Sequence, residues 1–185
     1  MNTDIVAGIS DAATDGLNLV FTTDSGKEYL KSEHQISEEI VENLKHLGFS
    51  SICNMMASIK TAKELNLGPN DVIMTVATDG SELYESEKAH LMRDKYPNGF
   101  TAKDAHEIFT SHVVNADSQH LEILSDVGRN RIFNLGYYTW VEQQGISVED
   151  FDARRSQEFW NELHKFPPIW DEMIREFNAQ TGVSA

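Results

Sequence analysis

The sequence predicts an α/β fold in which a partial parallel sheet with two strand candidates precedes a mostly helical carboxyl-terminal extension. Residues 72–78, VIMTVAT, form an apolar run without alternation, which is typical of a strand buried on both faces. This run follows a helix-like stretch and a Gly68-Pro69 break, and helix, loop and buried strand together make one step of a parallel α/β sheet. We therefore expect an α/β part at residues 1–96 and a helical extension, packed on it, at residues 97–185.

Composition and charge limit the classes of partner. The chain has 185 residues, 40% of them apolar, and a formal net charge of −15. This acidity argues against nucleic acid, which requires a basic face, and against an anionic membrane surface, which would repel the chain. The single Cys53 excludes an internal disulfide, and the residues directly after Met1 do not resemble a signal peptide. We therefore expect a soluble, cytoplasmic protein.

The amino-terminal half predicts further elements before the run at 72–78. In chain order they are a strand at Ile5–Ile9, a helix from Ser10 or Asp11 to about Phe21, a turn cluster at residues 22–26, and a helix from Ser37 that Gly48 ends. The next helix is the clearest, because its apolar residues recur at helical spacing. Ser50 or Ser51 would cap it, and its apolar positions are Ile52, Met55, Met56, Ile59, Ala62 and Leu65.

The rest of the chain predicts only helices. Their approximate bounds are 82–95, 101–114, 128–143, 147–163 and 167–179. Two strands are marginal as an isolated sheet, and a doubly buried strand needs neighbours on both sides. Either the run at 72–78 packs only against helices, or the rest of the sheet lies outside these 185 residues. We favour a sheet that continues outside these residues, because it accounts better for a strand whose apolar and polar residues do not alternate.

Two segments resemble a known enzyme group. Residues 48–87, GFSSICNMMASIKTAKELNLGPNDVIMTVATDGSELYESE, resemble the carboxyl-terminal part of fold-type II pyridoxal-phosphate enzymes, the cysteine synthase and threonine synthase group. Residues 137–145, YYTWVEQQG, with Arg154-Arg155 and Phe159-Trp160 after them, resemble the tail of bacterial pyridoxal-phosphate-dependent subunit beta-like proteins. The resemblance extends from about Asn2 to about Asp171.

The resemblance implies the carboxyl-terminal portion of a pyridoxal-phosphate-dependent lyase or transferase that acts on an amino-acid substrate by β-replacement or elimination. In this group the Schiff-base lysine, the loop that binds the substrate carboxylate and the glycine-rich phosphate loop all precede the matched region. No glycine-rich loop is present here, and Lys60 and Lys63 would lie on a helix surface. We therefore expect an amino-terminal catalytic half, or a second chain, as partner. The 185 residues alone would not be catalytically competent, and the intact enzyme would be a homo-oligomer.

A second hypothesis needs no cofactor. The chain could instead be a non-catalytic, standalone fragment that acts as an interaction or regulatory module. The two hypotheses differ in whether a partner carries the lysine and the phosphate loop.

The resemblance also implies cofactor-binding residues at the end of the run at 72–78. Asp79, with Thr78 and Gly80 beside it, falls where the group hydrogen-bonds the pyridine nitrogen. A carboxylate there stabilises a protonated ring, whereas the hydroxyl that is common in the group leaves the ring near neutral. The alternative is that Asp79 caps the following helix.

The resemblance places Ser50 and Ser51 at the substrate pocket, where the start of a helix would favour an anion. The alternative is an ordinary helix cap. The seven histidines fit no common spacing of metal ligands, so we expect no metal site. The aromatic residues of the tail would form the tail's own core, or else an interface with a second subunit.

Overall fold

A computed structural model describes residues 3–183 of the chain, and within them it is mostly helical. The strands are β1 (Ile5–Ala7) and β2 (Leu121–Ile123). The helices are α1 (Asp11–Thr22), α2 (Asp24–His34), α3 (Glu38–Asn43), α4 (Phe49–Glu64), α5 (Glu85–Lys95), α6 (Ala102–Phe109), α7 (Asp126–Tyr137), α8 (Val148–Ala153), α9 (Gln157–Leu163) and α10 (Phe166–Thr181). Short 3₁₀ turns cover Leu44–His46 and Ser81–Tyr84, and π-helical turns at Thr110–Val114 and Tyr138–Gln143 extend α6 and α7.

The predicted α/β fold with a partial parallel sheet is wrong. The two short strands form one antiparallel sheet, β1 with β2. Residues 72–78 form no helix, turn or strand and so belong to neither strand of that sheet. An apolar, β-branched run becomes a strand only where another strand meets its backbone, and β1 pairs with β2 instead. The first strand lies where it was predicted, at Ile5–Ala7.

The chain divides into two compact units. The central unit is Ile5–Glu122, and the terminal unit consists of the described residues of Met1–Asp4 and Ile123–Ala185. Met1 and Asn2, which contributed to the signal-peptide interpretation, lie outside the described residues.

Helix α1 is the centre of the central unit. Ser10 caps it as predicted, since its Oγ accepts a hydrogen bond from the backbone N–H of Ala13 at 3.3 Å. α1 packs against α2, α4 and α6, so it is buried on several sides. The core consists of Leu17, Leu19, Val20, Phe21, Tyr29, Leu30, Val41, Ile52, Met56, Phe100, Ala105 and Ala116.

Helix α2 replaces the turn predicted at residues 22–26. Thr23 caps this helix, because its Oγ1 accepts a hydrogen bond from Gly26 N at 3.2 Å. Gly26 lies directly against α1: a Cβ atom added at this position would be 2.2 Å from the carbonyl oxygen of Val20. The close approach of α1 and α2 therefore requires glycine here.

The terminal unit has its own aromatic cluster around Phe151, which is buried in α8. The rings of Phe133 and Tyr137 lie 4.8 and 6.2 Å from it, centroid to centroid. Part of the tail therefore forms a core of its own, which was one of the two alternatives for its aromatic residues. The aromatic residues of helix α10 are not buried in this way, because Trp170 and Phe177 remain 54% and 63% exposed.

Within residues 3–183, no helix has both the length and the apolar character that crossing a membrane requires.

Candidate functional site

The candidate site lies where a segment without regular secondary structure meets the start of α4. We call residues 71–78 the open segment. It begins after a turn in which Gly68 N donates to Asp71 Oδ2 at 2.7 Å. Its apolar side chains face solvent: Val72 is 84% exposed, Met74 92% and Val76 64%. Exposure of apolar residues on this scale is unusual in a run with the composition of a buried strand.

The backbone of the open segment pairs with no strand among residues 3–183. In the part of the chain that the structure describes, no backbone–backbone hydrogen bond involves residues 72–77. One side chain reaches this stretch, since Asn54 Nδ2 of α4 donates to the carbonyl oxygen of Val76 at 3.0 Å. The other polar groups of this backbone are accessible to a partner in extended conformation.

Ser51 fixes the end of the open segment to α4. The backbone N–H of Thr78 donates to Ser51 Oγ at 2.9 Å, and the two hydroxyl oxygens lie 3.4 Å apart. Ser51 is buried, with 3% of its surface exposed. Next to this contact, Gly48 N donates to the carbonyl oxygen of Asp79 at 2.7 Å. We call Ser51, Thr78 and Asp79 the anchor cluster.

The side chain of Asp79 contacts a tyrosine. Tyr84 donates its hydroxyl proton to Asp79 Oδ2 at 2.5 Å, and its ring packs on Phe49 with centroids 4.6 Å apart. The hydrogen bond to Asp79, with a smaller contribution from burial, raises the pKa of Tyr84 above its ordinary value. The alternative that Asp79 caps the next helix is wrong, because Gly80 precedes that 3₁₀ turn without a side-chain cap.

Two buried polar residues hold the turn after Asp79, and sequence reasoning missed both of them. Asn18 Nδ2 donates to Ser81 Oγ at 3.0 Å, and Ser81 Oγ donates to the carbonyl oxygen of Leu47, also at 3.0 Å. Asn18 and Ser81 are 2% and 4% exposed. The available signal was an asparagine within the apolar stretch Leu17-Asn18-Leu19 of α1. Such a residue needs a partner when it is buried.

The other predicted pocket residue stays outside the cluster. Ser50 is exposed, and its hydroxyl has no hydrogen-bond partner among residues 3–183. Neither serine caps α4, since the helix begins after Gly48. Gly80 follows the cluster directly, and a Cβ atom added there would meet the carboxylate of Glu82 at 2.2 Å.

The two lysines of α4 bind a loop at a distance from the anchor cluster. Lys60 Nζ donates to the carbonyl oxygen of Gln119 at 2.8 Å, and Lys63 Nζ donates to that of Ala116. Lys60 lies nine residues beyond Ser51, which corresponds to about 13 Å along a helix. Lys60 is therefore held by a loop carbonyl, and its side chain is only 14% exposed.

A polar cavity of about 300 Å³ lies beside Lys60 in the central unit. His112 and His120 line it. Burial, followed by the nearby Lys60, lowers the pKa of His112 below its ordinary value. Within residues 3–183, no group of three histidine, cysteine or acidic side chains is placed to hold a metal ion.

The resemblance raises the question whether these residues could meet pyridoxal phosphate, and only their donor and acceptor types bear on it. The carboxylate of Asp79 is of the type that pairs with a protonated pyridine nitrogen, whereas the hydroxyls of Ser51 and Thr78 already contact each other and Ser51 is buried. Among the described residues, no lysine forms a hydrogen bond or an ion pair with the anchor cluster. The amino group and the phosphate loop that the cofactor requires would have to come from elsewhere.

We predict that Ser51→Ala destabilises the central unit by about 1–2 kcal/mol, because it leaves the partly buried N–H of Thr78 without a partner. The matched control is Ser50→Ala on the same turn, which removes an exposed hydroxyl without a partner and should have almost no effect. Urea denaturation of both variants measures the difference. Equal unfolding midpoints would show that the anchor cluster does not hold the open segment.

Comparison with known proteins identified no relative: no protein-family model, no curated protein and no solved structure matches the chain.

Proposed function

We propose that this chain is the carboxyl-terminal portion of a pyridoxal-phosphate-dependent enzyme of amino-acid metabolism, of the cysteine synthase-like type. A second polypeptide, or an amino-terminal half, supplies the Schiff-base lysine and the phosphate loop. The observation that supports this proposal best is the anchor cluster. Ser51 and Thr78 are 27 residues apart in sequence, yet they meet through a hydrogen bond at the end of the open segment.

In this proposal the anchor cluster borders the cofactor ring. When bound, pyridoxal phosphate supplies an electron sink for the carbanion that forms on an amino-acid substrate. Asp79 would pair with a protonated ring nitrogen, since its Oδ2 accepts from Tyr84 and its Oδ1 would remain for a second donor. Tyr84 fixes the orientation of this carboxylate, and the Ser51–Thr78 contact fixes the backbone that carries it.

The open segment is the contact surface for the partner. Among the described residues its backbone between residues 72 and 77 forms no backbone–backbone hydrogen bond, although Asn54 donates to the carbonyl oxygen of Val76, and its even-numbered apolar side chains are 64–92% exposed. An extended segment of this kind binds by adding to the edge of a sheet, in which backbone hydrogen bonds give affinity and alternate side chains fill pockets. The partner in this proposal therefore offers a β-strand with an apolar surface above it.

A second candidate function is a non-catalytic interaction module. The contacts of Lys60 and Lys63 favour it, since loop carbonyls bind both amino groups and no lysine contacts the anchor cluster in the described residues. Such a module would use the same open segment and would bind no cofactor.

Titration of the purified chain with pyridoxal phosphate, followed by borohydride trapping, tests where the lysine lies. We expect slow labelling, without saturation, that is spread over several lysines. Saturable labelling of one lysine in stoichiometric amount would contradict the proposal, because the chain would then carry its own Schiff-base residue.

A second readout separates the two candidate functions. We expect pyridoxal phosphate to shift the amide NMR signals of Thr78, Asp79 and Gly80 in the wild-type chain. Asp79→Asn, which keeps the shape but loses the charge, should weaken this response. If none of these signals moves, the interaction module without a cofactor is the better account.

A further inference from the structure

The terminal unit contains a cavity of about 490 Å³ that combines apolar walls with one positive and one negative side chain. This volume lies within the range of about 300–1,000 Å³ that is typical of small-molecule sites. The charged residues are Arg154 and Asp150. The apolar walls are Trp140, Ile146, Phe159, Trp160 and Leu163.

The apolar walls are ordered but only partly covered. Trp160 is fixed because its Nε1–H donates to the carbonyl oxygen of Arg154 at 2.9 Å, and the ring of Phe159 meets it edge-on at 5.3 Å. Trp140 remains 46% exposed, and Ile146 and Leu163 each remain 39% exposed. A ligand with an apolar body would remove this surface from water, which favours binding.

The two terminal nitrogens of Arg154 have no hydrogen-bond acceptor within residues 3–183. Its guanidinium carbon lies 4.5 Å from the ring centroid of Phe151 and 5.3 Å from that of Trp140. Its Nε donates to the carbonyl oxygen of Phe151, but no acceptor among the described residues contacts its two terminal nitrogens. Aromatic rings orient a guanidinium and leave its planar edge for a carboxylate, which it binds through two parallel hydrogen bonds.

Asp150 supplies the opposite charge four residues earlier, so that the two side chains are neighbours on one helical face, with Cβ atoms about 5–6 Å apart. Its Oδ2 accepts from the hydroxyl of Ser147 at 2.8 Å, and its Oδ1 has no hydrogen-bond partner among residues 3–183. The two residues form no ion pair with each other. They are therefore positioned to bind two opposite charges on one ligand.

We propose that this cavity binds a free apolar α-amino acid. Arg154 binds the carboxylate, Asp150 binds the ammonium group, and the aromatic walls cover the side chain. The charge pair identifies the ligand class, because a fatty acid would leave Asp150 unpaired and an amine would leave Arg154 unpaired. This inference does not depend on the proposed cofactor function, since every residue in it belongs to the terminal unit.

The test uses L-phenylalanine and two truncated probes, 3-phenylpropanoate and 2-phenylethylamine, with binding followed by NMR of the tryptophan indole N–H signals. The chain has three tryptophans. L-Phenylalanine should shift the signals of Trp140 and Trp160. Trp170, which stacks on Phe166 in α10 and does not line the cavity, serves as an internal reference. Both truncated probes should bind at least about tenfold more weakly, because each loses one charged contact.

Two variants assign the charges. Arg154→Met should weaken both L-phenylalanine and 3-phenylpropanoate by roughly tenfold or more. Asp150→Asn should weaken L-phenylalanine but leave 3-phenylpropanoate unchanged or tighter, because it removes a negative charge. Arg93→Met makes the same change of charge in the central unit and should leave binding unchanged.

The decisive result is that Asp150→Asn weakens the binding of L-phenylalanine but not that of 3-phenylpropanoate. This comparison can still be made if Arg154→Met does not fold. The proposal is wrong if L-phenylalanine causes no saturable shift of the indole signals of Trp140 and Trp160. It is also wrong if Asp150→Asn weakens the binding of L-phenylalanine and of 3-phenylpropanoate equally. A third contradicting result is that the indole shifts depend on the protein concentration and not on the ligand concentration, because a second copy of the chain would then cover the cavity.

Discussion

Gly26→Ala is expected to destabilise the central unit by roughly 3 kcal/mol, at the upper end of the range for overpacking. The added Cβ atom would lie 2.2 Å from the carbonyl oxygen of Val20, 2.6 Å from its Cα and 2.7 Å from its carbonyl carbon. These are backbone atoms, so no side-chain rotation relieves the clash. α1 and α2 would have to separate, and the core residues Leu17 and Leu30 would lose contacts.

Gly68→Ala is the matched control. At this position the nearest atom to an added Cβ is Asp71 Oδ2, at 3.9 Å, which is an ordinary contact distance. We expect a change within about 0.5 kcal/mol, as for most surface substitutions. Urea denaturation of both variants, with the slope compared as well as the midpoint, gives the free energies of unfolding. Similar losses at both positions would contradict the close packing of α1 on α2.

The second large effect concerns association of the chain with itself. An unpaired, apolar, extended segment offers any other strand a template, including that of a second copy. We therefore predict that the purified chain self-associates through the open segment. The net charge of −15 opposes this association, so raising the salt concentration should strengthen it.

Met74→Lys should weaken this association by about tenfold or more, because it places a charge on the side chain that is 92% exposed in the open segment. The matched control is Ile40→Lys, which introduces the same charge at a residue of α3 that is 56% exposed. Sedimentation velocity over a range of concentrations measures both. Equal effects of the two substitutions would mean that net charge, and not the open segment, governs association.

Local signals predicted several helices correctly. Ser10 and Ser37 cap α1 and α3 as expected, and the apolar spacing of α4 was sufficient to identify that helix. These features depend on neighbours within one or two turns, so a single sequence contains them. The predicted helix at 147–163 is instead two helices, because Ser156 caps α9 with a hydrogen bond from Glu158 N at 3.1 Å.

The errors arise where structure depends on distant partners. The run at 72–78 has the composition of a buried strand, but a strand forms only when another backbone pairs with it. α2 was missed because it is mostly polar, with Tyr29 and Leu30 as its buried large side chains. β2 is three residues long, too short for alternation to be recognised.

The residues that the resemblance named for a site differ in where the structure places them. The resemblance placed Ser51, Thr78 and Asp79 at one site, and the structure brings these three residues together. It also placed Ser50 there, which stays exposed. The support from Asn18 and Ser81 could not be inferred, because a contact across 63 residues leaves no local pattern.

The most direct test of the central claim, that residues 72–77 form an unpaired edge for a partner strand, is amide hydrogen exchange measured by NMR at low and high protein concentration. We predict that these amides exchange without protection in the dilute chain, whereas Thr78, whose N–H is bound by Ser51, is protected. At concentrations at which the chain associates, protection should extend over residues 72–77. Protection of these amides in the dilute monomer, or its absence in the associated state, would contradict the account.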